Sequence, residues 1–203
     1  EGNTVTVPHQ KYKSASYDEV LLNIANVNLS LRHYALADSL YKAVLERSEE
    51  DYYKAQKAKA LTGIALIGME QGQYKEAGEK LDEAITAARQ AVGVSHPMLA
   101  TLYYNKSRLL LKKEKIAEAL KEAAKARSIT NQYFAADHTS HGDMNVLMGD
   151  LLLAERKAKE AEQYYINAEK TYQLCYKNKH WKRQDIAEKL KLIKAVQLTK
   201  YKT

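Results

Sequence analysis

An all-α fold, a solenoid of about four helix pairs plus a closing helix, is what this sequence predicts, and three observations carry the prediction. First, one pattern recurs near every 42 residues: Ala77, Ala119 and Ala161 each follow a Glu and stand 42 apart, and Ala37 precedes Ala77 by 40. Second, small residues keep fixed offsets from these marks. Ala25, Ala65, Ser107 and Gly149 lie twelve before, and Val44, Ala84, Ala126 and Ala168 lie seven after. Small side chains at such offsets let two helices approach closely, while Tyr41, Leu81, Ala123 and Tyr165, four after the marks, fill the space between them. Third, 2 prolines and 8 glycines in 203 residues leave little turn material, whereas Ala, Leu, Lys and Glu abound. A unit of two helices cannot bury its apolar face alone, so copies stack.

The elements follow in order. Residues 1–14 contain "NTVTVPHQ", which alternates Thr and Val before Pro8 and reads as an extended arm. Ser16 and Glu19 form a capping-box spacing that opens the first helix. The period then places helix pairs over 16–31 with 34–49, 52–70 with 74–92, 97–112 with 116–133, and 141–154 with 158–177. Pro97 suits a first helical turn, where its missing N–H costs nothing. Ser140 and Asp143 repeat the capping spacing. A ninth helix over 182–199 carries Ile186, Leu190 and Ile193 on one stripe and Lys191 and Lys194 off it, the pattern of a solenoid end. The solenoid is expected over 15–203, with repeats near 18–51, 58–93, 100–135 and 142–177.

These residues resemble the tetratricopeptide repeat. "LTGIALIGMEQGQYKEAGEKLDEAI" (61–85) carries its spacing of small and aromatic residues best, and "LLNIANVNLSLRHYALADSLYKAVL" (21–45) nearly as well. The longer period is similar to the extended repeats of kinesin light chains, with "GVSHPMLATLYYNKSRLLL" (93–111) as the link between repeats. Later links keep the histidine, so His96, His138 and His180 recur at intervals of 42. The resemblance implies a right-handed solenoid in which the first helix of each pair lines an inner groove. It implies groove positions at Leu22, Asn26 and Leu29, then Thr62, Leu66 and Met69, then Tyr104, Arg108 and Leu111, then Val146, Asp150 and Leu153. Arg108 and Asp150 occupy equivalent positions and are expected to pair. Some relatives grip a terminal carboxylate with Lys and Asn, but Leu22, Gly63 and Thr101 stand there in this chain.

The chemistry-bearing motifs are few. One cysteine, Cys175, excludes an internal disulfide and a cysteine-built zinc site, and it is expected to be a small buried residue. "DHTSHGD" (137–143) gathers two His and two Asp, yet one His belongs to the repeated link, and Ser140 and Asp143 read as helix caps. The periodic histidines sit on successive repeats about 8–10 Å apart, too far to share an ion at about 2 Å. No phosphate-binding loop and no G-x-S-x-G elbow occurs. No enzyme, metal or cofactor is therefore expected.

Net charge is +7 and uneven, with 10 Lys/Arg against 2 Asp/Glu in residues 170–203. That end is either a solvated face or a basic surface for nucleic acid or anionic lipid. Trp181 within "KNKHWKR" is expected to pack the last helix onto the array, with base stacking as the alternative. No run approaches the roughly 18 apolar residues that span a membrane. The chain begins at Glu1 rather than Met, which reads as a processed or truncated product. The expected function is a non-enzymatic scaffold binding a protein or peptide partner in the groove through Asn26, Thr62, Leu66, Met69, Tyr104, Arg108, Val146 and Asp150. The alternatives are the basic end as a nucleic-acid or anionic-surface module, and a regulatory segment of a larger protein.

Overall fold

The computed structural model describes residues 15–47 and 53–200; the arm expected over 1–14 lies outside them. The described residues form α1 (Ala15–Ser30), α2 (Tyr34–Arg47), α3 (Lys54–Glu70), α4 (Tyr74–Val92), α5 (Pro97–Lys112), α6 (Ile116–Tyr133), α7 (Thr139–Ala154), α8 (Ala158–Cys175) and α9 (Trp181–Lys200). No strand occurs among them. Each odd helix packs on the even helix that follows it, each even helix packs on the next odd one, and α9 closes the stack against α8.

Three-residue turns join the helices of each pair, and all four share one geometry. Arg32, Gly72, Glu114 and Arg156 hold positive φ of 61°, 77°, 57° and 63°. The next N–H in each turn reaches back five residues: His33 to the carbonyl of Asn28, Gln73 to Gly68, Lys115 to Leu110 and Lys157 to Leu152, at 2.8 to 2.9 Å. This is the left-handed helix stop that satisfies otherwise orphaned carbonyls. Three of the four sites use a side-chain-bearing residue where glycine is the easier choice, so the turns leave almost no glycine signal in the sequence.

The links between repeats are built on the periodic histidines. His96, His138 and His180 each accept a backbone N–H on Nδ1, from Met98 at 3.1 Å, Ser140 at 3.2 Å and Lys182 at 3.3 Å. Each imidazole thus caps the helix that opens the next unit, the role a Ser or Asp usually fills. Pro97 takes the first helical position behind His96. Phe134 stacks on His138 with ring centroids 4.3 Å apart, and Tyr176 stacks on His180 at 3.8 Å. Two capping expectations are corrected here. Asp143 is not a cap, because its carboxylate accepts from Tyr172 and Lys182 across the helix layers. Glu19 binds Lys59 of the next repeat at 2.6 Å.

The small residues set the helix crossings. Ala37, Ala77, Ala119 and Ala161 are buried, as are Ala25, Ala65 and Ser107. Ser107 spends its hydroxyl on the Ala119 carbonyl at 2.8 Å, so burying it leaves no unmet donor. Where a tyrosine fills the crossing, a glycine faces it. A Cβ on Gly63 would stand 2.1 Å from the Tyr41 ring, one on Gly149 2.3 Å from Tyr165, and one on Gly142 2.4 Å from Tyr172. Each ring is buried, and each hydroxyl reaches an acceptor: Tyr41 donates to Asn26 at 2.7 Å, Tyr165 to Asp150 at 2.6 Å and Tyr172 to Asp143 at 2.5 Å. The apolar core runs through the stack as contiguous clusters, and Ile186, Leu190 and Ile193 of α9 complete the last one.

Three outcomes test this packing. Ala119→Arg forces a long charged side chain into a fully buried crossing; a loss on the order of 3 kcal/mol is expected from overpacking and charge burial, and an unchanged Tm would refute the register. Deleting residues 181–203 uncovers Leu152, Tyr165 and Tyr172; the truncated chain should melt earlier and self-associate, as an uncapped solenoid does, and light scattering with calorimetry reads both.

The third outcome concerns alkali. Burial pushes the Tyr41 hydroxyl up to about 12. Burial first, and then the hydrogen bonds to Asp150 and Asp143, raise Tyr165 and Tyr172 as well. A hydroxyl raised in the folded chain keeps a proton that the unfolded chain gives up. Its stabilisation is therefore full below about pH 10 and declines as pH climbs beyond it. Denaturant titrations across that range should show the decline, and Tyr165→Phe with Tyr172→Phe should make it shallower. Equal slopes for both proteins would show that these hydroxyls do not carry the effect.

Candidate binding cleft

The first helices α1, α3, α5 and α7 approach one another across successive repeats, so theirs is the inner face of the stack. At its C-terminal end a cleft of about 370 Å³ opens among α5, α7, α8 and α9. Of the eight groove residues expected from sequence, Tyr104, Arg108, Val146 and Asp150 line this cleft together. Asn26, Thr62 and Leu66 do not. Asn26 is exposed and accepts from Tyr41. Thr62 donates its hydroxyl to the Ala58 carbonyl at 2.6 Å. Leu66 is half-buried against the core. Met69 is a correction: it is 5% exposed and belongs to the core between repeats. Leu22, at 1% exposure, is likewise core. Both lie on the side of their helix that faces the neighbouring layer, where apolar side chains gain most by burial.

Two identical contact units form one wall. Asp143 and Asp150 stand seven apart on α7, Tyr172 and Tyr165 seven apart on α8, and Lys182 and Lys189 seven apart on α9. Lys182 donates to both Asp143 oxygens at 2.6 and 2.8 Å, and Lys189 donates to Asp150 at 2.7 Å. The same carboxylates take the tyrosine hydroxyls. Each ammonium also sits over the ring of its own tyrosine, at 5.4 and 5.6 Å. Seven residues is two helical turns, so the three helices meet twice with equal chemistry. Both ion pairs are partly exposed, and each contributes about 1 kcal/mol or less.

This ladder overturns one expectation. Arg108 does not pair with Asp150, whose carboxylate is occupied by Lys189 and Tyr165. Lys189 reaches into the cleft. Arg108 instead lies over the Tyr104 ring, 5.8 Å from its centroid. Burial pushes the Tyr104 hydroxyl up to about 12, with Arg108 pulling the other way. Among the described residues neither Arg108 nor Asp185, which also borders the cleft, forms an ion pair.

Trp181 differs from its expectation too. It is 65% exposed at the cleft rim, beside the Lys182 ammonium at 5.7 Å. As the first residue of α9 it precedes the stripe that docks the helix, so its ring points past the contact. Cys175 is half-buried, its thiol donating to the Asp137 carbonyl at 3.0 Å. Among the described residues no group of three His, Cys, Asp or Glu could hold a metal ion. Nor is any helix there long and apolar enough to cross a membrane.

Comparison with known proteins finds a repeat match over part of the chain and a likeness of fold over most of it. Residues 56–132 match the tetratricopeptide repeat. No curated protein sequence matches the chain. Among solved structures, BtubC from P. vanneervenii superposes with a TM-score of 0.61 at 16% identity, over 88% of this chain and 80% of that one. The nearly identical TPR-like repeats of a candidate kinesin light chain from Podosopora anserina superpose with a TM-score of 0.63 at 15% identity, over 93% and 98%. At such identities the likeness is one of fold. With the 42-residue period, the histidine-capped links and the stacked helix pairs, the chain has the fold of a tetratricopeptide-type solenoid, and its residues 56–132 match the repeat itself.

Proposed function

We propose that the protein is a non-enzymatic interaction scaffold that holds a segment of a partner protein in the cleft among α5, α7 and α9. One observation carries the reading. Among the described residues Arg108 has no ion-pair partner, and the exposed ring of Trp181 lines the same cleft, while Lys182 and Lys189 are already neutralised by Asp143 and Asp150. Arg, Tyr and Trp are the side chains that most often dominate protein interfaces. The Arg108 guanidinium offers a planar set of donors for a partner carboxylate. Val146 and the Trp181 ring offer apolar surface next to it, and Asp185 offers a counter-charge. A segment with an apolar anchor flanked by charge fits this lining, which is one of the groove modes proteins reuse. Asn26, Thr62 and Leu66 are proposed as the continuation of the path along the first two repeats.

The basic-end alternative loses two of its lysines to the ion-pair ladder. It keeps Lys191 and Lys194, which are exposed on α9. A pull-down from the source cell followed by calorimetry separates the two readings. Arg108→Glu with Trp181→Ala should weaken the captured partner at least about tenfold, or 1.4 kcal/mol, with Tm nearly unchanged. Lys191→Glu with Lys194→Glu should leave binding intact. If the lysine pair abolishes binding, steeply salt-dependent in the parent protein, and the cleft pair does not, the basic surface is the site.

A further inference from the structure

The first and last described helices present different faces. At the C-terminal end α9 covers the last pair. Val20, Ile24 and Val27 of α1, with Leu31 just after its end, turn outward, 53%, 46%, 57% and 59% exposed. Their spacing of four, three and four is that of a coiled-coil seam. The seam is about 17 Å long at the helical rise per residue. A contiguous apolar patch on a protein surface is often functional. Its flanks are uncharged: Asn23 and Ser30 are exposed, and Asn28 is half-buried, bonded to the Ile24 carbonyl and to His33.

We infer that this stripe is the interface through which two copies of the chain pair, α1 against α1, antiparallel about a two-fold axis. Spacing argues for a second copy, because a seam of this rhythm needs a partner seam of the same rhythm, and the chain supplies one. Charge argues for the antiparallel sense. The described charges near the seam sit at its ends, Glu19 before it, bridged to Lys59, and basic Arg32 after it. A parallel pair would set Arg32 against Arg32. The antiparallel register that sets Val20 against Leu31 of the second copy, and Ile24 against its Val27, also brings Glu19 level with its Arg32. On its own chain Glu19 uses Oε1 for Lys59, which leaves Oε2 for the arginine. The uncharged flanks add no repulsion along the contact. Such a dimer leaves the cleft at the far end of each copy open, so a dimer would present two clefts.

Sedimentation equilibrium of the full chain over a wide concentration range tests the pairing. Expected is a monomer–dimer equilibrium that Ile24→Glu with Val27→Glu weakens at least tenfold. The circular dichroism and Tm of the diluted variant should be those of the parent, since both side chains are exposed. Glu19→Arg and Arg32→Glu should each weaken the dimer, and the two together should restore it. In a Cys175→Ser background, a mixture of Val20→Cys and Leu31→Cys chains should cross-link to each other under an added oxidant. A parent chain that stays monomeric throughout overturns the proposal, as does a dimer indifferent to the two glutamates. A dimer that appears only when residues 1–14 are deleted assigns the stripe to that segment and overturns it too. Cross-linking of Val20→Cys chains only among themselves overturns the antiparallel sense.

Discussion

Close approach of helix backbones is the constraint on which this structure depends. Stacked helix pairs gain their burial only if the axes come near enough for side chains to interdigitate. The chain meets this with alanine at every mark of its period, and with glycine where an entire tyrosine ring must enter the crossing. Gly63, Gly142 and Gly149 are therefore packing residues: a Cβ at any of them would overlap the Tyr41, Tyr172 or Tyr165 ring. Adding one carbon there is worse than removing one elsewhere, because a ring wedged between two helices has nowhere to move.

Those tyrosines connect packing to the surface. Their rings fill the crossings, and their hydroxyls emerge on the inner face, where Asn26, Asp143 and Asp150 accept them. At the C-terminal end the same carboxylates then hold Lys182 and Lys189. The closing helix is thus held both by apolar burial of Ile186, Leu190 and Ile193 and by a polar ladder along the cleft wall. One group of residues ends the solenoid and shapes its candidate binding surface. The consequence is electrostatic. A segment that reads as strongly basic in sequence presents a cleft wall whose lysines are already paired, leaving Arg108 and Asp185 as its unmatched charges among the described residues.

Much of this architecture was legible because it is periodic. Small residues at fixed offsets, together with a helical composition, define helix pairs and their spacing without reference to any contact. The stripe of Ile186, Leu190 and Ile193 likewise marks the closing helix, since apolar burial on one face leaves a helical rhythm. The histidine period was visible but its purpose was not. An imidazole capping a helix through Nδ1 is a local backbone matter, and sequence shows only that a histidine recurs. The left-handed turns were invisible, because Arg32, Glu114 and Arg156 occupy sites whose usual marker is glycine.

What the sequence by itself determined is the set of helices, their order and the residues at their crossings, since these follow from short-range periodicity and side-chain size. What only the tertiary structure decided is the partner of each long polar or aromatic side chain. Lys189 could point outward or into the cleft, Arg108 could meet Asp150 or Tyr104, and Trp181 could pack or protrude. Each choice turns on which side chains from helices some forty residues apart converge, and on which reaches a given carboxylate first. Met69 shows the same limit for an apolar residue: groove and core positions differ by a fraction of a helical turn, and the packing of the neighbouring repeat settles which one it occupies.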